Sequence, residues 1–303
     1  MPVIRTDPST GPDSPEVTGL YDKASGSIQY IAACPVTKKC ALIDAVLDFS
    51  PAHASTGTEN AETLLRLVEE KGYTVEWVLD THPHADHMMA SRWLRDQTGA
   101  PGAIGEKVRE IAELWRDFYH LPDAFDPDRD FDRLFADGDT FKIGELDVQV
   151  ILSPGHTLGS ITYVVGRDAA FVHDTFMQPD AGTARADFPG GTASELYESL
   201  QRLLELPDDT RLYVGHDYGT DSRDGPEWMA TVAQQRYRNI HIGQTTGKAH
   251  DRESYVELRE ARDKTLDLPD RMLFALQVNL RGGRLPSPES DGHSYAKIPF
   301  NRF

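Results

Sequence analysis

Cysteine is nearly missing from this chain. Only Cys34 and Cys40 occur among its 303 residues, which excludes a small disulfide-stapled scaffold. The pair flanks Pro35 to Lys39, a stretch with the character of a hairpin loop, so buried free thiols and a redox pair across the arms are both open. Long apolar runs are missing as well. Nothing approaches the roughly 18 residues that a membrane span needs, and Met1 to Val17 is polar and proline-containing, without the apolar core of a signal peptide. A flexible entry over residues 1–17 and a cytoplasmic location are the expectations. Positive charge is short too: 31 Lys+Arg stand against 49 Asp+Glu, for a formal net charge of −18. Nucleic acid and anionic membranes require a basic footprint, and this balance argues against both as partners. An anionic substrate would have to meet local positive charge from a metal or an arginine.

What is present is concentrated in one segment, Glu76-Trp77-Val78-Leu79-Asp80-Thr81-His82-Pro83-His84-Ala85-Asp86-His87. Val75 to Leu79 is short, apolar and partly β-branched, which predicts a buried strand. Pro83 forbids a regular helix or an interior strand, so His82 to His87 reads as a loop leaving the strand's carboxyl end. Side chains at i and i+2 of an extended segment point the same way. His82 and His84 are therefore expected to face one point, and Asp86 and His87 a second. Imidazole with carboxylate suits zinc or iron better than magnesium or calcium, which prefer all-oxygen shells. Packed this densely, the four residues read as a metal site.

Along the rest of the chain, Ser27 to Ala33 and Cys40 to Leu47 read as hairpin arms, with Asp44 late in the second. Thr58 to Lys71 has helical spacing and stops at Gly72. Met88 to Gln97 reads as a helix that would put Asp86 and His87 at its N-terminus. Glu106 to Tyr119 is a further helix with His120 at its end, and Asp123 to Asp132 a loop. Strands are expected at Ala103-Ile104, Thr140 to Ile143, Leu146 to Leu152, Ile161 to Val165, Ala169 to Val172 and Arg211 to Val214, and helices at Ser194 to Leu206 (capped by Ser194), Met229 to Asn239 and Ser254 to Asp263. One regularity stands out: strand ends deliver His82, His156, Asp174 and His216, as a site on the rim of a sheet requires.

Thr81-His82-Pro83-His84-Ala85-Asp86-His87, Gly155-His156-Thr157, Asp174 and Gly215-His216, in that order, resemble the metallo-β-lactamase-fold superfamily. The resemblance implies an α/β fold, an αββα four-layer sandwich of two mixed sheets with helices outside. It covers residues 18–243 as a catalytic domain, with 244–303 as a C-terminal extension packed on it. Ala85, the run Gly182 to Gly191 and the tail Gln277-Val278-Asn279-Leu280 are similar to bacterial persulfide dioxygenases. Those are relatives of the mitochondrial ethylmalonic-encephalopathy protein, of the β-lactamase-like hydrolases of sulfide-oxidation operons and, more distantly, of glyoxalase II.

That subgroup implies one iron(II) per chain, held by His82, His156 and Asp174, with three positions left for glutathione persulfide and O2. His84, Asp86, His87 and His216 then form surroundings or a vacant second site. In the alternative, a binuclear zinc hydrolase of a thioester such as S-lactoylglutathione or of another ester or lactam, those same residues are ligands. Sequence alone leaves both occupancies open. Arg185 is a candidate for pairing with a substrate carboxylate, or a structural arginine bonding loop carbonyls or Asp187. Tyr218 either lines the pocket or packs in the core. A homodimer is compatible with the resemblance. Two positions depart from the family pattern. His173 stands where glycine is usual, so it must tolerate a backbone that β-carbons disfavour or the loop must differ. Leu158 stands where proline is frequent.

Overall fold

A computed structural model describes residues 3–302. In chain order it begins with β1 (Val3–Asp7), β2 (Glu16–Tyr21), β3 (Ile28–Ala33), β4 (Lys39–Ile43), β5 (Val46–Ser50) and β6 (Ser55–Gly57). There follow α1 (Glu59–Glu70), β7 (Thr74–Leu79), β8 (Met88–Met89), α2 (Ser91–Thr98), β9 (Gly102–Gly105), α3 (Val108–Tyr119), α4 (Pro127–Asp130) and β10 (Arg133–Phe135). Then come β11 (Thr140–Ile143), β12 (Leu146–Leu152), β13 (Ile161–Val165), β14 (Ala169–His173), α5 (Ala193–Leu204) and β15 (Arg211–Val214). The chain closes with β16 (Met229–Thr231), α6 (Val232–Arg238), α7 (Arg252–Asp263) and α8 (Met272–Asn279).

The strands make a seven-stranded sheet in the order β1-β2-β3-β4-β7-β9-β10 and a six-stranded one in the order β11-β12-β13-β14-β15-β16. Both are mixed: β4/β7, β7/β9, β9/β10 and β14/β15 run parallel and the other pairs antiparallel. Tyr30, Leu79, Phe135, Val150, Tyr163, Phe171 and Tyr213 fill the space between the sheets. A second core, with Leu42, Leu64, Leu94 and Val278, lies between the first sheet and α1, α2 and α8. Leu196, Leu200 and Leu203 of α5 pack on the second sheet. This is the αββα arrangement of the metallo-β-lactamase fold. Among the described residues no helix is long and apolar enough to cross a membrane.

Several local expectations are corrected. Val3–Asp7 is no loose entry but an edge strand paired along β2; Met1 and Pro2 lie outside the described residues. The arm Cys40 to Leu47 breaks at Asp44, whose φ of 52° turns the chain out of β4 before β5 begins. Met88–Met89 is strand, paired with β5, so Asp86 and His87 do not open a helix. The α5 cap is Thr192, whose hydroxyl accepts from the Glu195 amide, rather than Ser194. Met229 to Thr231 extends the second sheet before α6 starts, and a short turn of helix, α4, sits inside the 123–132 loop. The cysteines face opposite sides of the first sheet. Cys34 is in the inter-sheet core and Cys40 in the helix-side core, both buried and free, so hairpin geometry does not bring the thiols together.

The candidate metal centre

Strand direction explains why the metal-type residues meet. β4 and β7 run parallel in one sheet, β12 and β14 share a direction in the other, and β15 runs parallel to β14. Their carboxyl ends lie at one edge and deliver Asp44, His82, His156, Asp174 and His216. Ser27 arrives at the same edge from the amino end of β3, which is antiparallel to β4. Two glycines permit the approach. A Cβ on Gly215 would stand 2.7 Å from Asp174 Oδ1, and Gly155, at φ 125°, lies against the α5 backbone where a Cβ would meet Leu196 N at 2.2 Å.

His82, His156 and Asp174 offer donor atoms within 4.8 Å of one another, all buried. Asp174 Oδ2 is 3.4 Å from His156 Nε2 and 3.7 Å from His82 Nε2. Two donors at about 2.1 Å from one ion at a tetrahedral angle stand about 3.4 Å apart, so the spacing fits a shared metal. Tautomers fit as well. Thr81 Oγ1 donates to Asp44 Oδ2 at 2.8 Å and therefore accepts from His82 Nδ1 at 3.1 Å. His156 Nδ1 donates to the Arg185 carbonyl at 2.9 Å. Each Nε2 is left as a lone pair, and that of His82 is buried without a partner among the described residues. A ligating histidine held through its other nitrogen is the usual arrangement at a metal.

Electrostatics agree. Burial, with His84 and His156 adding to it, pushes His82 well below the ordinary imidazole range, and burial lowers His156 against the pull of Asp174. Burial opposes the Asp174 charge, yet the His216 ring beside it holds the carboxyl well below the usual range. Neutral imidazoles and an ionised carboxylate are the forms that ligate.

Residues 82–87 form a series of bends, yet the His82 and His84 rings lie side by side as expected, 4.1 Å between centroids. The donor atoms of His84, however, come within 4.8 Å of those of Asp86 and His87, while His82 groups with His156 and Asp174. His84 Nε2 donates to Asp44 Oδ1 at 3.1 Å, leaving a buried Nδ1 lone pair without a partner. His216 is held at both ends, Nδ1 at 2.6 Å from Asp174 Oδ1 and Nε2 at 2.7 Å from Asp86 Oδ2. Burial opposes a charge on that ring, but Asp174 and Asp86 raise it well above the ordinary range.

His173 occupies the glycine position at φ 40°, the left-handed region. Its Nε2 reaches the hydroxyls of Ser153 and Thr175 at 3.1 and 3.2 Å, and burial pushes it down to about 3. The ring thus tolerates the backbone it was expected to strain, held by two hydroxyls and by contact with His82, 5.2 Å between centroids.

A cavity of about 520 Å³ opens on this edge, lined by Asp86, His156, Asp174, Phe188, His216 and Tyr218 among others. Tyr218 is 69% exposed and stacks on His216 at 5.6 Å and 12°, so core packing is excluded for it. Arg185 also lines the cavity, but its guanidinium is spent. Nε and Nη2 donate to Asp187 at 2.6 and 2.8 Å, and Nη1 to the Asp267 carbonyl at 2.7 Å. Its contribution to the centre is the carbonyl that holds His156. The exposed Arg262 on α7 lines the same cavity with a guanidinium that makes no hydrogen bond or ion pair among the described residues. Sequence reading missed Arg262, Ser27 and Asn279. Asn279 accepts from the Met89 amide at 2.8 Å and donates to the carbonyls of His84 and His87 at 2.7 and 2.8 Å. Only the Gln277–Leu280 resemblance pointed toward it.

The family model for the metallo-beta-lactamase superfamily matches residues 30–216. A beta-lactamase hydrolase-like protein of Xylella fastidiosa is 51% identical over 95% of the chain, which spans 65% of that relative's length. A glyoxylase B2 of Dictyostelium discoideum is 40% identical over 94% of this chain and 96% of its own. Among solved structures, ETHE1 from Myxococcus xanthus superposes with a TM-score of 0.68 at 30% identity, over 88% of this chain and 98% of that one.

Proposed function

The chain belongs to the metallo-beta-lactamase superfamily, and from that premise we propose that it is a mononuclear iron(II) persulfide dioxygenase. The reaction is glutathione persulfide plus O2 plus water giving glutathione plus sulfite, with sulfur oxidised and O2 reduced. The carrying observation is the triad itself. Two histidines with both tautomers fixed and one ionised carboxylate, His82, His156 and Asp174, make a two-histidine, one-carboxylate face, the ligand set of non-haem iron oxygenases. When bound, iron(II) would supply the site where the terminal sulfur and O2 react.

The chain's own residues do the positioning. The Arg185 carbonyl and Thr81 hydroxyl hold the two imidazoles. Phe188, edge-on to His156 at 5.2 Å, gives the cavity an apolar wall beside the centre. Arg262 is the cation for a substrate carboxylate, the role expected of Arg185 from the sequence, because Arg185 is already committed to Asp187. Tyr218, stacked on His216 at the cavity wall, is the surface for the thiol carrier's backbone. A glutathione-linked substrate fits a cytoplasmic enzyme.

Oxygen consumption by anaerobically iron-loaded protein supplied with glutathione persulfide tests the reading, with sulfite as the co-product. No oxygen uptake by that protein overturns it. A second reading, a binuclear zinc hydrolase of a glutathione thioester, is favoured by the free Nδ1 of His84, which could complete a third histidine ligand. Two zinc ions per chain and hydrolysis of S-lactoylglutathione would establish that reading instead.

A further inference from the structure

The Asp86, His87 and His216 atoms that a second ion would share with Asp174 are drawn together by hydrogen bonds, and a single hydroxyl stands among them. Ser27 Oγ lies 2.7 Å from Asp86 Oδ2, 3.1 Å from His87 Nδ1 and 3.1 Å from His216 Nε2. Those three side chains are the ones a second ion would need beside Asp174. Asp86 Oδ2 and His216 Nε2 are themselves 2.7 Å apart, a hydrogen bond, whereas two donors on one tetrahedral ion would stand about 3.4 Å apart. His87 turns the same Nδ1 to Asp86, at 2.8 Å, so the hydroxyl, the carboxylate and two rings close on one another. Among the described residues His216 belongs to none of the groups of three whose donor atoms come within 4.8 Å. The contrast with His82, His156 and Asp174, open and unbonded at 3.4 to 3.7 Å, is internal to one molecule.

Ser27 is not free to leave. The Ile28 amide donates to the Gly215 carbonyl at 2.8 Å, and Ser27 bridges to His216 as an isolated antiparallel pair, so the backbone carrying the hydroxyl is tied to the loop carrying the imidazole. Ser25 Oγ, whose own proton goes to Asp22 Oδ2 at 2.6 Å, accepts from the Ser27 amide at 3.3 Å and lies 2.7 Å from Ser27 Oγ, closing that side of the hydroxyl. With one proton to give, Ser27 directs it to Asp86, the charged acceptor. Ser27 is 1% exposed, so bulk water does not compete.

We infer that the Ser27 hydroxyl occupies the position a second metal ion would need and so restricts the centre to one ion. The inference rests on the mononuclear reading above and names its cause. Wild-type protein, Ser27→Gly and Ser27→Ala are loaded anaerobically with excess iron(II) or zinc, desalted, and counted by plasma mass spectrometry. Thermal unfolding of the metal-free proteins checks the fold. About one ion per chain is expected for wild type and about two for Ser27→Gly, since three ligands and Asp174 then surround an open position. Should the glycine variant fail to fold, Ser27→Ala, which removes only the hydroxyl, gives the same count. A folded variant that stays at one ion overturns the role of Ser27 and leaves the mononuclear reading standing. Two ions in wild type overturn both.

Discussion

At the scale of single residues, each histidine of the triad is set by what holds its other nitrogen. Thr81 is the sharpest case, because one hydroxyl both donates to Asp44 and receives His82 Nδ1. Thr81→Val keeps the shape and removes both links, so the His82 tautomer is no longer fixed. Loss of such an outer partner lowers metal affinity about 10–100-fold, which chelator competition would read; an unchanged affinity would show that Thr81 does not orient the ring. The sequence displayed the metal-type side chains plainly, since four of them fall within six residues. It could not display their holders. Thr81 adjoins His82, but Arg185 acts on His156 through a carbonyl 29 positions away and Ser27 meets His216 across 189. Main-chain oxygens leave no trace in residue identity, and contacts at such separation follow from topology alone.

At the scale of elements, α8 shows how the tail serves the site. Its last residue, Asn279, closes one backbone amide and two carbonyls around the His84–Met89 segment, all buried. Asn279→Ala strands those groups without water, at roughly 1–3 kcal/mol for each unsatisfied one, and relaxation of the loop would bring the total to about 3 kcal/mol. Denaturant unfolding would measure it, and a loss under about 1 kcal/mol would mean that water replaces the amide. The strands that deliver ligands, β7, β12, β14 and β15, are legible because each is a short apolar or alternating stretch followed within four residues by His or Asp. Elements misread from sequence fail for tertiary reasons. Met88–Met89 looks helical until β5 supplies a partner, and Val3–Asp7 looks loose until β2 does. Asp44 ends β4 with a left-handed turn that no local pattern of Cys40 to Leu47 announces.

At the scale of the whole molecule, the buried histidines make the metal-free fold sensitive to acid, and the sign can be worked out. His82, His87, His156, His173 and His241 all lie below the ordinary imidazole range through burial first, with His173 and His241 at about 3. The unfolded chain takes up protons on them near pH 6.5 while the fold does not, so stability falls as pH drops from about 6.5 toward 3. His84 and His216 act oppositely. Their raised values give stability that is complete below about 6.5 and is lost as pH rises through the folded value, so they add nothing to acid lability. Asp174 and Asp86 are depressed, and their contribution, present above about 3.9, disappears only as pH falls through their folded values. Thermal unfolding of metal-free protein between pH 7 and 4 is therefore expected to show a melting temperature that declines steadily. His241 is not one of the triad and accepts from the Thr183 amide, and His241→Asn should remove one proton's share of the slope, about 1.4 kcal/mol per pH unit. A melting temperature that is flat across that range would overturn the neutral, buried state assigned to these rings.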